Sequence, residues 1–255
     1  MKKLVLIIAV ISFVAFACTK DNTSTSSDAS GVPGGESGQG GSMAKFSISG
    51  NYLFIINESQ LKVFDISAEE NPSPLSTVNV DFGIETVFTL DEFLFIGSVN
   101  GMYIYDISNP LNIKYLSFYQ HITSCDPVVA NDSLAFVTLN ATSNCQWQGG
   151  ENRLDVLDIT NKVNPQLLSS IPMNGPNGLG IYQNYIIVCN GEIGVSIYDY
   201  SNPYSLDYVS EISGIDAYDV IIRDHYMILI GQDGLFQYDI SDVNQIELIS
   251  NILFQ

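Results

Sequence analysis

Between residue 43 and the end of the chain, short apolar runs alternate with clusters of Asn, Asp, Gly and Ser in a pattern that returns five times. Five segments close alike: Leu61-Lys-Val-Phe-Asp65-Ile-Ser, Met102-Tyr-Ile-Tyr-Asp106-Ile-Ser, Leu154-Asp-Val-Leu-Asp158-Ile-Thr, Val195-Ser-Ile-Tyr-Asp199-Tyr-Ser and Leu235-Phe-Gln-Tyr-Asp239-Ile-Ser. The aspartates stand 41, 52, 41 and 40 residues apart. About ten residues before each lies a second apolar run (Tyr52 to Ile56, Phe93 to Gly97, Leu134 to Thr138, Tyr185 to Cys189, Tyr226 to Ile230). The turn residues between them tolerate positive φ, so each pair predicts a β-hairpin. A further apolar run in front and one behind make four strands per unit.

Four strands in roughly 41 residues is the blade period of a β-propeller. In the third strand, the positions one, two and four before the aspartate are almost always apolar, which predicts burial on both faces. A unit of this kind has no core of its own, so the sheets must shield one another, and the expectation is a closed circle. The fold class is therefore all-β: a five-bladed propeller of four-stranded blades over residues 43–255. The recurrent Asp-Ile-Ser predicts a turn in which the carboxylate accepts from the backbone two residues on. Five such groups on separate blades cannot converge on one ion.

The first 42 residues have a different texture. Lys2 and Lys3 precede an apolar run from Leu4 to Phe16, too short to span a bilayer. It ends in Ala15-Phe16-Ala17-Cys18, which resembles a bacterial lipobox. That resemblance implies a signal peptide over 1–17, cleavage before Cys18 and acylation of that cysteine. Thr19-Lys20-Asp21 is similar to the stretch that follows the lipidated cysteine in surface-exported lipoproteins of Bacteroidetes. The segment from Asn22 to Ser42 is rich in Ser, Thr and Gly, so 18–42 reads as a lipidated cysteine and flexible tether with a reach of roughly 25 Å. The expected location is the outer membrane, lipid-anchored and facing the cell surface, with the periplasmic face as the alternative.

The repeat itself, Tyr52-Leu-Phe-Ile-Ile followed by Leu61-Lys-Val-Phe-Asp-Ile-Ser, with the sequels Asp106-Ile-Ser-Asn-Pro110 and Asp199-Tyr-Ser-Asn-Pro203, resembles the LVIVD-repeat proteins. The resemblance extends over 43–255. Thr123-Ser-Cys-Asp-Pro127 and Gly178-Leu-Gly-Ile181 are similar to the Bacteroidetes lipoprotein branch of that family. It implies a propeller and no particular chemistry, because repeats of this kind specify architecture rather than reactions.

Charge narrows the partners. The formal net charge is −19, and loss of Lys2 and Lys3 would make it more negative, which disfavours nucleic acid and anionic lipid surfaces. There are two histidines, His121 and His225, and neither stands in a metal-binding spacing; no G-x-S-x-G, phosphate loop or dinucleotide fingerprint is present. The reading is a monomeric binding module for a protein or glycan, without enzymatic activity. The alternatives are a propeller hydrolase or lyase working through carboxylates at the channel mouth, and a structural part of an envelope complex.

Candidate residues gather on one face, where the loops into the first strands and between second and third strands open together. Glu85, Asp126, Asn177 and Asp219 begin first strands and should ring the central channel. Such oxygen ligands have the chemistry to hold Ca²⁺, against the plainer reading of a hydrated polar mouth with no cofactor. The 52-residue spacing places an insertion near Asn140 to Asn152, with Cys145 and the single tryptophan, Trp147, as a contact anchor or a loop cover. Cys125 opens the same blade, so a Cys125–Cys145 disulfide is expected, with Cys145–Cys189 as the alternative.

Overall fold

The computed structural model describes residues 40–68, 70–121, 127–141 and 151–254. Cys18, the signal and tether segments up to residue 39, Cys125, Asp126, Cys145 and Trp147 lie outside the described residues. The lipidation, the expected disulfide and two of the binding residues are therefore not described.

Among the described residues, twenty strands form five antiparallel sheets of four. Blade one comprises β1 (Phe46–Ser49), β2 (Tyr52–Asn57), β3 (Gln60–Asp65) and β4 (Ser73–Asn79). Blade two comprises β5 (Ile84–Leu90), β6 (Phe93–Ser98), β7 (Gly101–Asp106) and β8 (Lys114–Gln120). Blade three comprises β9 (Val128–Ala130), β10 (Leu134–Leu139), β11 (Arg153–Asp158) and β12 (Gln166–Pro172). Blade four comprises β13 (Leu179–Tyr182), β14 (Tyr185–Cys189), β15 (Val195–Asp199) and β16 (Asp207–Ile212). Blade five comprises β17 (Ala217–Arg223), β18 (Tyr226–Gly231), β19 (Gly234–Asp239) and β20 (Glu247–Leu253). The first strands line a shared central cavity of about 280 Å³.

The repeated residues do repeated work. The turn aspartates accept the backbone N–H two residues on in every blade: Ser67 to Asp65 (2.8 Å), Ser108 to Asp106 (2.9 Å), Thr160 to Asp158 (2.9 Å), Ser201 to Asp199 (2.7 Å) and Ser241 to Asp239 (2.8 Å). These bonds, with those from the Ser or Thr hydroxyls, hold all five carboxyls below their ordinary pKa. Between the first and second residues before each of these aspartates, the third and fourth strands slip register at the same place in every blade, a bulge that bends the outer strand.

Just beyond the bulge sits a serine that joins neighbouring blades. Ser76, Ser117, Ser169 and Ser210 donate to the carbonyls of Pro110, Lys162, Pro203 and Val243 in the next blade, at 2.7, 2.6, 2.7 and 2.5 Å. Beneath each clamp lies an apolar cluster: Phe54, Val63, Leu94 and Tyr105 between blades one and two, Phe95, Ile104 and Leu157 between two and three, Phe136, Val156 and Ile186 between three and four, and Ile187, Ile197, Leu229 and Tyr238 between four and five.

The all-β propeller of five four-stranded blades is as expected, and only the join between blade five and blade one departs from expectation. A closed circle of five needs five such clusters; the described residues form four, and none joins blade five to blade one. Central strands β7 and β11 are buried on both faces, whereas β19 alternates between buried and half-buried side chains. The physical reason is visible in composition. The positions filled by Val63, Ile104, Val156 and Ile197 in the other blades hold Gln237 in blade five, and the facing surface of blade one carries Lys62. What links the two ends is a short contact at the channel, where Ser42 and the Met43 N–H donate to Asp219.

Candidate functional site

A basin of about 830 Å³ opens at one end of the channel, with walls drawn from all five blades. Two of its side chains are there because of bulges. In blade two, Ile84 pairs with Ser98 and Thr86 with Gly97, leaving Glu85 as the extra residue; in blade five, Ala217 pairs with Gly231 and Asp219 with Ile230, leaving Tyr218. A bulge re-aims the residue it inserts, and both Glu85 and Tyr218 line the basin.

Asparagines supply much of the remaining wall. Asn140 Nδ2 donates to Asn177 Oδ1 at 3.0 Å, and Asn177 Nδ2 donates to the Ala217 carbonyl at 3.3 Å, so blades three, four and five are stitched together at the rim. Thr138 Oγ1 donates to the Asn177 carbonyl at 2.6 Å. Asn190, 6% exposed, donates to Ser196 Oγ at 3.0 Å and more distantly to the Val188 carbonyl. Its Oδ1 has no hydrogen-bond partner. A buried acceptor in that condition costs on the order of 1–3 kcal/mol, a cost recovered when a donor arrives. Glu192, Asp216 and Lys45 complete a mixed-charge edge.

The expected mouth residues thus separate. Glu85 and Asn177 line the basin. Asp219 does not: β17 turns it toward the channel, where it accepts from Ser42 Oγ, the Met43 N–H and the Val220 N–H. Gly41 and Gly178 close over it, and a Cβ on either would lie 2.1 or 2.0 Å from its oxygens. Burial pushes its carboxyl pKa above the usual range, partly offset by those hydrogen bonds. Asp219 is a latch, and its neighbour Tyr218 takes the place at the mouth. Among the described residues no group of His, Cys, Asp and Glu is arranged to hold a metal ion. Cys189 is a free thiol, wholly buried, with its pKa raised by that burial.

Sequence reasoning missed Tyr218, Asn140 and Asn190. The signal for Tyr218 was the extra residue in the first strand of blade five. For Asn190 there was only its place after Cys189, at the end of a second strand that opens on the same face.

The LVIVD repeat family model matches residues 40–80, 86–119 and 149–172, which are blades one and two and the outer half of blade three. The chain carries LVIVD repeats. Solved structures share the fold of this LVIVD propeller at low identity. A functionally unknown protein from Desulfotomaculum acetoxidans aligns with TM-score 0.66 and 10% identity over 80% of this chain and 67% of its own. The periplasmic gluconolactonase of Pseudomonas aeruginosa aligns with TM-score 0.61 and 12% identity over 80% and 68%. A hypothetical selenium-binding protein from Sulfolobus tokodaii aligns with TM-score 0.59 and 13% identity over 80% and 59%. The chain therefore spans about three fifths to two thirds of those structures, and the likeness is one of fold. No curated protein matches it.

Proposed function

We propose that the LVIVD propeller is a binding module whose basin receives a hydroxyl-rich ligand, a glycan or glycan-bearing surface. The observation that carries this reading is the unpartnered Oδ1 of Asn190 in a basin lined with planar amides and one exposed aromatic face, Tyr218. Amides offer donors and acceptors side by side, which suits vicinal hydroxyls, and an aromatic ring packs on the C–H face of a sugar. A rim of Glu85, Glu192 and Asp216 with Lys45 is net negative, which disfavours an anionic ligand and leaves a neutral, hydroxyl-rich one in keeping with the amides. In the same reading Cys18 carries the lipid and the tether holds the module at the outer membrane, facing outward.

Calorimetric titration with a panel of neutral oligosaccharides tests the ligand class. Binding that weakens at least tenfold in both Asn190→Ala and Tyr218→Ala supports it; absence of heat across the panel, or binding indifferent to both changes, overturns it. Following the same sugars and their lactones for product separates recognition from the hydrolase or lyase alternative. Protease added to intact cells tests the outward placement.

A further inference from the structure

Blade five has a finished apolar surface that stays exposed among the described residues. Ile228, Ile230 and Leu235 occupy the positions of Phe54, Ile56 and Leu61 in blade one, which are at most 3% exposed beneath blade two. In blade five Ile228 and Ile230 are 38% and 39% exposed, and Ile252 beside Leu235 is 67% exposed. The clamp serine is there too. Ser250 stands opposite Gln237 as Ser76 stands opposite Val63, but among the described residues it donates within its own sheet, to Gln237 Oε1 at 3.2 Å.

Blade one has the opposite deficit. Its surface turned away from blade two carries Phe46, Ile48, Leu53, Ile55 and Phe64, with Phe46 55% exposed. Lys62, opposite Ile55 and beside Thr77, puts a charge on that surface. Lys62 holds the position of Tyr103, which packs in the same cluster as Val63 of the preceding blade. Translated to a blade-five surface meeting a blade-one surface, the rule sets Lys62 against Gln237. A polar side chain on one side falls on a polar side chain on the other, an ammonium donor against an amide oxygen.

We infer that the blade-five surface of one copy seats the blade-one surface of a second copy of this chain. The repeat makes the two surfaces head and tail of an interface the molecule already builds four times. The chain's own blade one does not cover this surface: Ile228 and Ile230 stay exposed, and the link between the two ends is the contact of Ser42 and Met43 with Asp219. Residues 41–43, latched to Asp219, fill the channel end of the cleft, so the incoming blade rests on β18 to β20, farther out. The contact is heterologous, and copies add in series rather than as a closed pair.

Sedimentation velocity on the mature chain carrying Cys18→Ser, so that no acyl group contributes, tests this. The wild-type surfaces give a mass that rises with concentration past the dimer. Ile230→Asp (head blocked) and Phe46→Asp (tail blocked) each give monomer alone. Mixed in equal amounts they give dimer and nothing larger, since one intact head meets one intact tail. Ile252→Arg repeats the head block on an outer, more exposed position, and circular dichroism confirms that each variant is folded. A wild-type chain that stays monomeric at every concentration, a ring that shuts on its own blade one, or a mixture that yields no dimer overturns the inference.

Discussion

Ser42 Oγ donates to Asp219 Oδ1 at 3.0 Å and accepts the Leu179 N–H at 2.8 Å, so a single hydroxyl in the lead to blade one binds blades four and five together. Ser42 is 1% exposed, and its removal leaves the Leu179 amide without this acceptor and the Asp219 carboxylate with one donor fewer. Ser42→Ala is expected to cost about 1–3 kcal/mol. Calorimetric unfolding should show a fall of roughly 2–4 °C per kcal/mol for a domain of this size.

The clamp serines make a graded comparison. Each of Ser76→Ala, Ser117→Ala, Ser169→Ala and Ser210→Ala removes one hydrogen bond between blades and is expected to cost about 1 kcal/mol in denaturant unfolding. Ser250→Ala, which loses only a bond to a half-buried neighbour in its own sheet, should be close to neutral in the monomer. A cost at Ser250 equal to the others would mean that its surface is covered.

Acid stability follows from the turn aspartates. Their folded pKa values lie below the unfolded ones, so the stability they contribute is present above the ordinary carboxylate range and is lost as pH falls through and below it. Unfolding followed from neutral pH down to about pH 2 should steepen below about pH 4. Asp106→Asn and Asp158→Asn should flatten that limb.

Asp219 has the reverse sign. Burial raises its folded pKa, so the protonated carboxyl is the better tolerated form, and its contribution is full below the unfolded pKa and declines as pH rises through the folded one. The Asp219→Asn chain should therefore lose less stability than the parent between about pH 4 and pH 7. A chemical-denaturation series across that window measures it.

Cys189 is wholly buried and its thiol is held in the protonated form. Alkylation at this residue, followed by peptide mapping, should be negligible in the native protein and complete in denaturant. Fast native labelling would mean that blade four opens far more readily than its packing indicates.

Much of this was legible because the repeat is local. The aspartate that ends each third strand, the turn-forming residues before it and the apolar runs on either side state their roles within a dozen residues, and each second strand begins where its apolar run begins and ends within one residue of it. Closure was not legible, because it depends on a sum of small angles between blades. Lys62 and Gln237 were the available clue, polar where the repeat is otherwise apolar. The mouth was half legible for the same reason. Glu85 and Asn177 follow from strand order, but the single-residue insertion that turns Tyr218 outward and Asp219 inward is a register event that period counting overlooks.

The chain of four shared clusters also governs how the molecule comes apart. Blades two, three and four are each gripped from two sides, whereas the outermost pair are gripped from one, so loss of order should spread from the ends inward as in a linear array of coupled units. Amide hydrogen exchange in β2 and β18 should outpace that in β10, which is buried along its whole length.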